Sequence, residues 1–129
     1  MKVLSIFGTR PEMIKMWATL KKLDEHNFDH IMVHTGQNFT PELKDFFFND
    51  LKLRKPDYDL GIDVSSYSNE VADVIKKTDK VMEDVKPDAL LILGDTYSGL
   101  SIMPASYRGI KTFAFLPGRA RRGARGVPG

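Results

Sequence analysis

Arg10, Lys15 and Asp95 are the residues of this 129-residue chain whose types and settings could do chemistry. Arg10 lies in Ser5-Ile6-Phe7-Gly8-Thr9-Arg10-Pro11-Glu12, where an apolar strand runs through a turn into a helix start. Gly8 permits a sharp turn and close backbone approach. Pro11 suits the first helical position, and Glu12 suits the positive end of the helix. Backbone donors, helix dipole and the Arg10 guanidinium together make an anion site. An ordinary strand-to-helix connection carrying a surface arginine is the alternative. Lys15, one turn further on, either reaches the same anion or is a solvated helix lysine. Asp95 follows Leu91-Ile92-Leu93-Gly94, so an apolar strand delivers its carboxylate to the sheet rim. Partial burial there would raise its pKa and fit it for proton transfer. Capping of the next helix by Asp95 competes on equal terms.

Three polar clusters follow predicted strands: Gly8-Thr9-Arg10-Pro11-Glu12, His34-Thr35-Gly36-Gln37-Asn38 and Gly94-Asp95-Thr96-Tyr97-Ser98. In an open parallel sheet the crevice outside the carboxyl ends of the strands is where ligands bind. Arg10 and the helix N-termini then face an anion, while Gln37, Asn38, Thr96 and Ser98 offer neutral hydrogen-bonding groups. Such a set suits a phosphorylated, hydroxyl-rich ligand such as a sugar nucleotide. Gln37 and Asn38 also read as a cap or turn for the second helix.

The positioning elements alternate. Strands are expected at Lys2–Phe7, Phe28–His34, Ala89–Leu93 and Ile110–Phe115. Between them the first helix runs from Pro11 to about Asp24, with Ile14, Trp17, Ala18 and the Lys21 stem on one face. A second helix runs from Pro41 to about Asn49, and 51–65 is a connector rich in turn residues. The third helix, about Ser68 to Lys86, is marked by Val71, Val74, Ile75, Thr78, Val81, Met82 and Val85 at three- and four-residue intervals. A fourth spans about Ser98–Tyr107. The rhythm predicts right-handed crossovers and an α/β, Rossmann-like parallel sheet with flanking helices.

Composition places the chain among globular proteins, with 42% hydrophobic residues and no cysteine. Disulfides, thiolate nucleophiles and cysteine metal sites are therefore excluded, and a cytoplasmic setting is expected. No apolar run approaches the roughly 20 residues of a membrane helix. The formal charge of +2 comes from four arginines in residues 117–129; the rest of the chain carries 15 basic against 17 acidic residues. A nucleic-acid footprint rests on that tail alone, so neither a nucleic-acid nor a membrane partner is expected. Residues 117–129 read as a basic Arg/Gly tail, non-native or frameshifted, after a folded unit of residues 1–116.

Neither Gly-x-Gly-x-x-Gly after the first strand nor a phosphate loop ending in Gly-Lys-Ser/Thr is present, which argues against dinucleotide redox chemistry and nucleotide hydrolysis. His30 and His34 share a strand face. Strand residues four apart lie about 13 Å apart and no third ligand is evident, so no metal site is expected. His26 reads as a surface residue.

Phe7-Gly8-Thr9-Arg10-Pro11-Glu12 with Ile14-Lys15, His34-Thr35-Gly36-Gln37-Asn38, Lys55-Pro56-Asp57-Tyr58-Asp59-Leu60 and Gly94-Asp95-Thr96 resemble, in order and spacing, the non-hydrolysing UDP-N-acetylglucosamine 2-epimerases. The resemblance runs from about residue 2 to residue 113. Residues 28–60 are especially similar to the capsule and O-antigen branch, which includes enzymes forming UDP-N-acetylfucosamine. The resemblance implies the first half of a GT-B-like two-domain fold and inversion at C2 of a UDP-N-acetylhexosamine without a cofactor. It also implies a full-length homodimer. It assigns Asp95 as an acid/base carboxylate, and Arg10 and Lys15 to the nucleotide or phosphate. Gly8, Thr9 and Thr96 fall in the same substrate-binding stretches, and Gln37 falls where some members contact a second, regulatory nucleotide sugar. After the last strand the family carries His-x-Glu-Ala-Gly with a catalytic glutamate; here Ala114-Phe115-Leu116-Pro117-Gly118-Arg119 stands instead. The chain is therefore expected to be an incomplete, inactive first part. A stand-alone nucleotide-binding module and half of a GT-B glycosyltransferase are the competing readings.

Overall fold

The computed structural model describes residues 1–26, 28–36, 42, 45–93 and 97–115. Five parallel strands form one sheet in the order β3-β2-β1-β4-β5. They are β1 (Lys2–Phe7), β2 (Asp29–His34), β3 (Tyr58–Asp59), β4 (Ala89–Leu93) and β5 (Lys111–Phe115). Helices α1 (Arg10–Glu25), α2 (Tyr67–Val85) and α3 (Ile102–Tyr107) flank it. The expected Rossmann-like α/β sheet is therefore present.

Strand alternation divides the apolar residues between two cores. Val3, Phe7, Met32, Leu91 and Leu93 meet Met13, Met16 and Leu20 of α1 on one face. Leu4, Ile6, Val33, Leu90 and Ile92 meet Val81 and Met82 of α2, and Ala105 of α3, on the other. A sheet covered on both faces explains why β4 is an unbroken apolar run, with all five residues buried.

The first helix is rotated from the expected phase. Its buried residues are Glu12, Met13, Met16 and Leu20, whereas Ile14 and Trp17 are 53% and 39% exposed. The cause lies at the helix start. Thr9 is the N-cap, Arg10 the first helical residue and Pro11 the second, and Glu12 folds back into the turn. Burying Glu12 sets the phase, and positions one, four and eight residues later then face the sheet. Trp17 instead lies along the surface with its indole N–H donating to the Leu51 carbonyl at 2.7 Å.

The connector 51–65 contains a strand that was not expected. β3 is two residues long and is fastened through the Asp57, Leu60 and Ile62 amides, which donate to the Met32, His34 and Thr35 carbonyls. Such a short pairing leaves no period-two signature. Part of the expected second helix lies outside the described residues; Phe46–Asp50 forms a π-helical turn. The expected fourth helix divides into a 3₁₀ turn, Tyr97–Ser101, and α3. Pro104 is tolerated because it falls in the first turn of α3, where no intrahelical donor is needed.

Candidate functional site

The site begins with the tight turn after β1. The amides of Gly8 and Thr9 both donate to Glu12 Oε1, at 3.0 and 2.8 Å, and the Glu12 amide donates back to Thr9 Oγ1 at 3.3 Å. This is a complete capping box. It changes the expected anion site, because the Gly8 and Thr9 donors are taken by the chain's own carboxylate. Arg10 remains exposed on the rim, its guanidinium carbon 4.4 Å from the centroid of the Phe46 ring. That stacking holds a flexible side chain against a fixed face. Lys15 is also exposed.

Two further loops close on the turn. Thr35 and Gly36 follow β2, and Tyr97 and Ser98 start the segment after β4. With Gly8, Thr9 and Glu12, and with Ile62, Glu70 and Val74, they line a cavity of about 160 Å³. Described members of the three clusters, Gly8, Thr9 and Glu12, Thr35 and Gly36, and Tyr97 and Ser98, thus meet at one cavity. Close packing dictates the small residues: a Cβ on Gly8 would collide with Thr35 Oγ1, and one on Gly36 with the His34 ring. Gln37, Asp95 and Thr96 lie outside the described residues. Glu70 and Ile62 carry no signal in the sequence analysis, Val74 enters it only as part of the apolar helix stripe, and Tyr97 belongs to the third polar cluster. The Ser66 cap, whose Oγ accepts the Asn69 amide at 3.1 Å, is the local signal that would have placed Glu70 in the first turn of α2.

His30 and His34 belong to the interior, whereas His26 is exposed as expected. His30 Nε2 lies 2.8 Å from Ser5 Oγ, and its Nδ1 lies 2.9 Å from Asp24 Oδ1. Arg54 joins the same assembly, with its guanidinium donating to the His30 carbonyl at 2.6 Å and to Asp57 at 2.9 Å. Burial pushes the His30 pKa below its ordinary value of 6.5, against the opposing pull of Asp24. His34 is lowered too, again by burial first, with Asp59 at 3.7 Å opposing. A neutral His30 with its proton on Nδ1 satisfies both neighbours, donating to Asp24 and accepting from Ser5. Ser5 is fully buried, so this serine–histidine–aspartate arrangement is a structural clasp. Among the described residues no group of three or more potential metal ligands occurs. Among them, too, no helix is long and apolar enough to cross a membrane.

Known proteins share this architecture. The sequence profile of the UDP-N-acetylglucosamine 2-epimerase family matches residues 21–126. The solved UDP-N-acetylglucosamine 2-epimerase of Rickettsia bellii is 46% identical, with a TM-score of 0.79 over 88% of this chain and 30% of its own. The Methanocaldococcus jannaschii UDP-GlcNAc 2-epimerase, solved with UDP-GlcNAc and UDP, is 30% identical, with a TM-score of 0.80 over 88% of this chain and 32% of its own. A UDP-2,3-diacetamido-2,3-dideoxy-D-glucuronate 2-epimerase of Pseudomonas aeruginosa is 34% identical over 78% of this chain and 29% of its own length. The sheet therefore corresponds to part of a GT-B-like fold, and the chain spans about three tenths of these proteins. With most of its residues matched by the family profile, the chain belongs to the UDP-N-acetylglucosamine 2-epimerase family.

Proposed function

We propose that this chain supplies the first-domain half of the active site of a non-hydrolysing UDP-N-acetylhexosamine 2-epimerase. The observation that carries the reading is the meeting of three strand-end loops at one cavity, with Arg10 exposed one residue beyond the lining residue Thr9. The reaction removes the C2 proton and breaks the C1–O bond to UDP, leaving a 2-acetamidoglucal. Reprotonation of C2 on the opposite face and return of UDP complete the inversion. Arg10 and Lys15 are assigned to the diphosphate, whose leaving requires concentrated positive charge. Asp95 is assigned as one acid/base carboxylate. Gln37 and Thr96 complete the substrate-binding set, and Gly8 and Thr9, whose amides are held by Glu12, shape the turn that borders it. No redox cofactor enters this chemistry.

Residues 1–116 form the binding unit in this reading, and 117–129 stand apart from it. The 129 residues bind nucleotide without turning it over, because the glutamate-bearing stretch has no counterpart after β5. The setting is cytoplasmic, and the full-length protein is a homodimer, for which Ile14 and Trp17 offer exposed apolar surface. The hexosamine is N-acetylglucosamine or, from the wording of residues 28–60, the precursor of UDP-N-acetylfucosamine in capsule or O-antigen synthesis. The Pseudomonas aeruginosa relative, named for a diacetamido-glucuronate, supports a first domain compatible with more than one sugar.

Calorimetric titration of the chain with UDP tests the reading. Binding that Arg10→Ala weakens severalfold is expected. No binding by the wild-type chain, or epimerised UDP-sugar formed by the purified chain alone, would overturn the respective half of it.

A further inference from the structure

We propose that Phe46 is a positioning residue for the nucleotide: its ring holds the Arg10 guanidinium in place at the sheet edge, with the N–H donors of that group left for a diphosphate. The inference rests on the epimerase reading, which assigns Arg10 to the diphosphate, and adds the residue through which Arg10 is made ready.

Three observations carry it. The first is what Arg10 touches. Arg54 and Arg108 each engage an aspartate, Asp57 at 2.9 Å and Asp79 at 2.7 Å. Arg10 pairs with no carboxylate among the described residues, and its guanidinium carbon stands over the Phe46 ring instead, 4.4 Å from the centroid. A carboxylate partner would cancel the charge and occupy the N–H fork, whereas a ring attracts the cation and accepts no strong hydrogen bond from it. Charge and donors are thus both kept for an anionic ligand.

The second is the fixity of the ring. Phe46 is 7% exposed and belongs to the core between the sheet and α1, with Met13, Met16 and Leu20. It opens the π-helical turn Phe46–Asp50, which the Leu51 amide closes by donating to the Phe46 carbonyl at 2.9 Å. The Leu51 carbonyl in turn accepts the Trp17 indole N–H at 2.7 Å. Through Leu51 and Trp17 the ring is moored to the helix that carries Arg10.

The third is position. Arg10 is the first residue of α1, at the end where the helix dipole disfavours a cation. The negative face of an aromatic ring offsets that repulsion and keeps the side chain there. A long side chain held before the ligand arrives loses less freedom on binding it.

The test is titration of the full 129-residue chain with UDP, using wild type, Phe46→Leu, Phe46→Met, Phe46→Tyr, Arg10→Ala and the double variant Arg10→Ala/Phe46→Leu. Leucine and methionine keep most of the buried volume and lack the ring, so either serves if the other fails to fold. Loss of the ring should weaken UDP binding by about two- to tenfold, and Phe46→Tyr should retain wild-type affinity. In the Arg10→Ala background the same loss of the ring should change UDP affinity no further. Proton NMR of the free chain supplies a second readout. The Arg10 side-chain resonances should be shifted upfield by the ring in wild type and Phe46→Tyr, and not in Phe46→Leu or Phe46→Met. An equal loss of affinity with and without Arg10 would show that Phe46 acts on the fold alone, and would overturn the inference. So would wild-type affinity in the variants without the ring, or unshifted Arg10 resonances in wild type; UDP binding weakened by Arg10→Ala would then leave the epimerase reading standing. Failure of the wild-type chain to bind UDP would instead remove that reading, and the inference with it.

Discussion

The Gly8 amide donates to Glu12 Oε1 at 3.0 Å, so the turn after β1 is closed by a carboxylate from its own helix. The same oxygen takes the Thr9 amide, and Glu12 is 1% exposed. Glu12→Ala should cost about 1–2 kcal/mol, combining a lost cap with two part-buried amides left without that acceptor. Glu12→Gln, which keeps an oxygen there, should cost less. Urea denaturation of both variants measures the difference.

Gly8→Ala should be destabilising by about 1–3 kcal/mol through overpacking against Thr35 Oγ1. Thr35→Ala removes the clashing oxygen, so the double variant should recover part of the loss. A double-mutant cycle in urea reads that recovery directly; simple additivity would show that the two residues do not compete for space.

Stability should fall on mild acidification. His30 and His34 are both held below the ordinary histidine value of 6.5 by burial, so the unfolded chain binds more protons than the fold as pH drops past 6.5. Their contribution is complete above pH 6.5 and is lost as pH falls through the folded values. Melting temperature recorded from pH 7.5 to 5 should decline. His30→Gln should be less stable at pH 7.5 but show a shallower decline.

Lys86 ends α2 in the left-handed region, with φ 53° and ψ 62°. A side chain is strained there and glycine is not, so Lys86→Gly should stabilise the chain by about 1 kcal/mol. Thermal denaturation at pH 7.5 checks the sign.

The sequence was most legible where one force acts alone. β1 and β4 are apolar runs bounded by turn residues and are found at the expected limits, Lys2–Phe7 and Ala89–Leu93. The α2 stripe was equally plain, with Val74, Thr78, Val81 and Met82 buried. The α1 stripe misled because Ile14, Trp17 and Ala18 have helical spacing as good as that of Met13, Met16 and Leu20. Only the capping box, a local polar interaction, decides between them. β3 was missed because two residues paired to a strand edge carry no period. The three strand-end clusters could be listed from sequence, but their closure on one cavity with Glu70 and Val74 of α2 depends on packing across the sheet.

The clasp of Ser5, His30 and Asp24 and the strand-end cavity stand at opposite ends of β2. His30 is its second residue, and Thr35 follows its last, so about 16 Å of strand separates them. Changes that far apart, without shared partners, usually add rather than compound. Exposed residues such as Tyr67 and Tyr97 can therefore vary without disturbing the clasp. A scaffold arranged this way is evolvable: the strand-end cavity can change by substitution at its rim while selection on folding acts elsewhere.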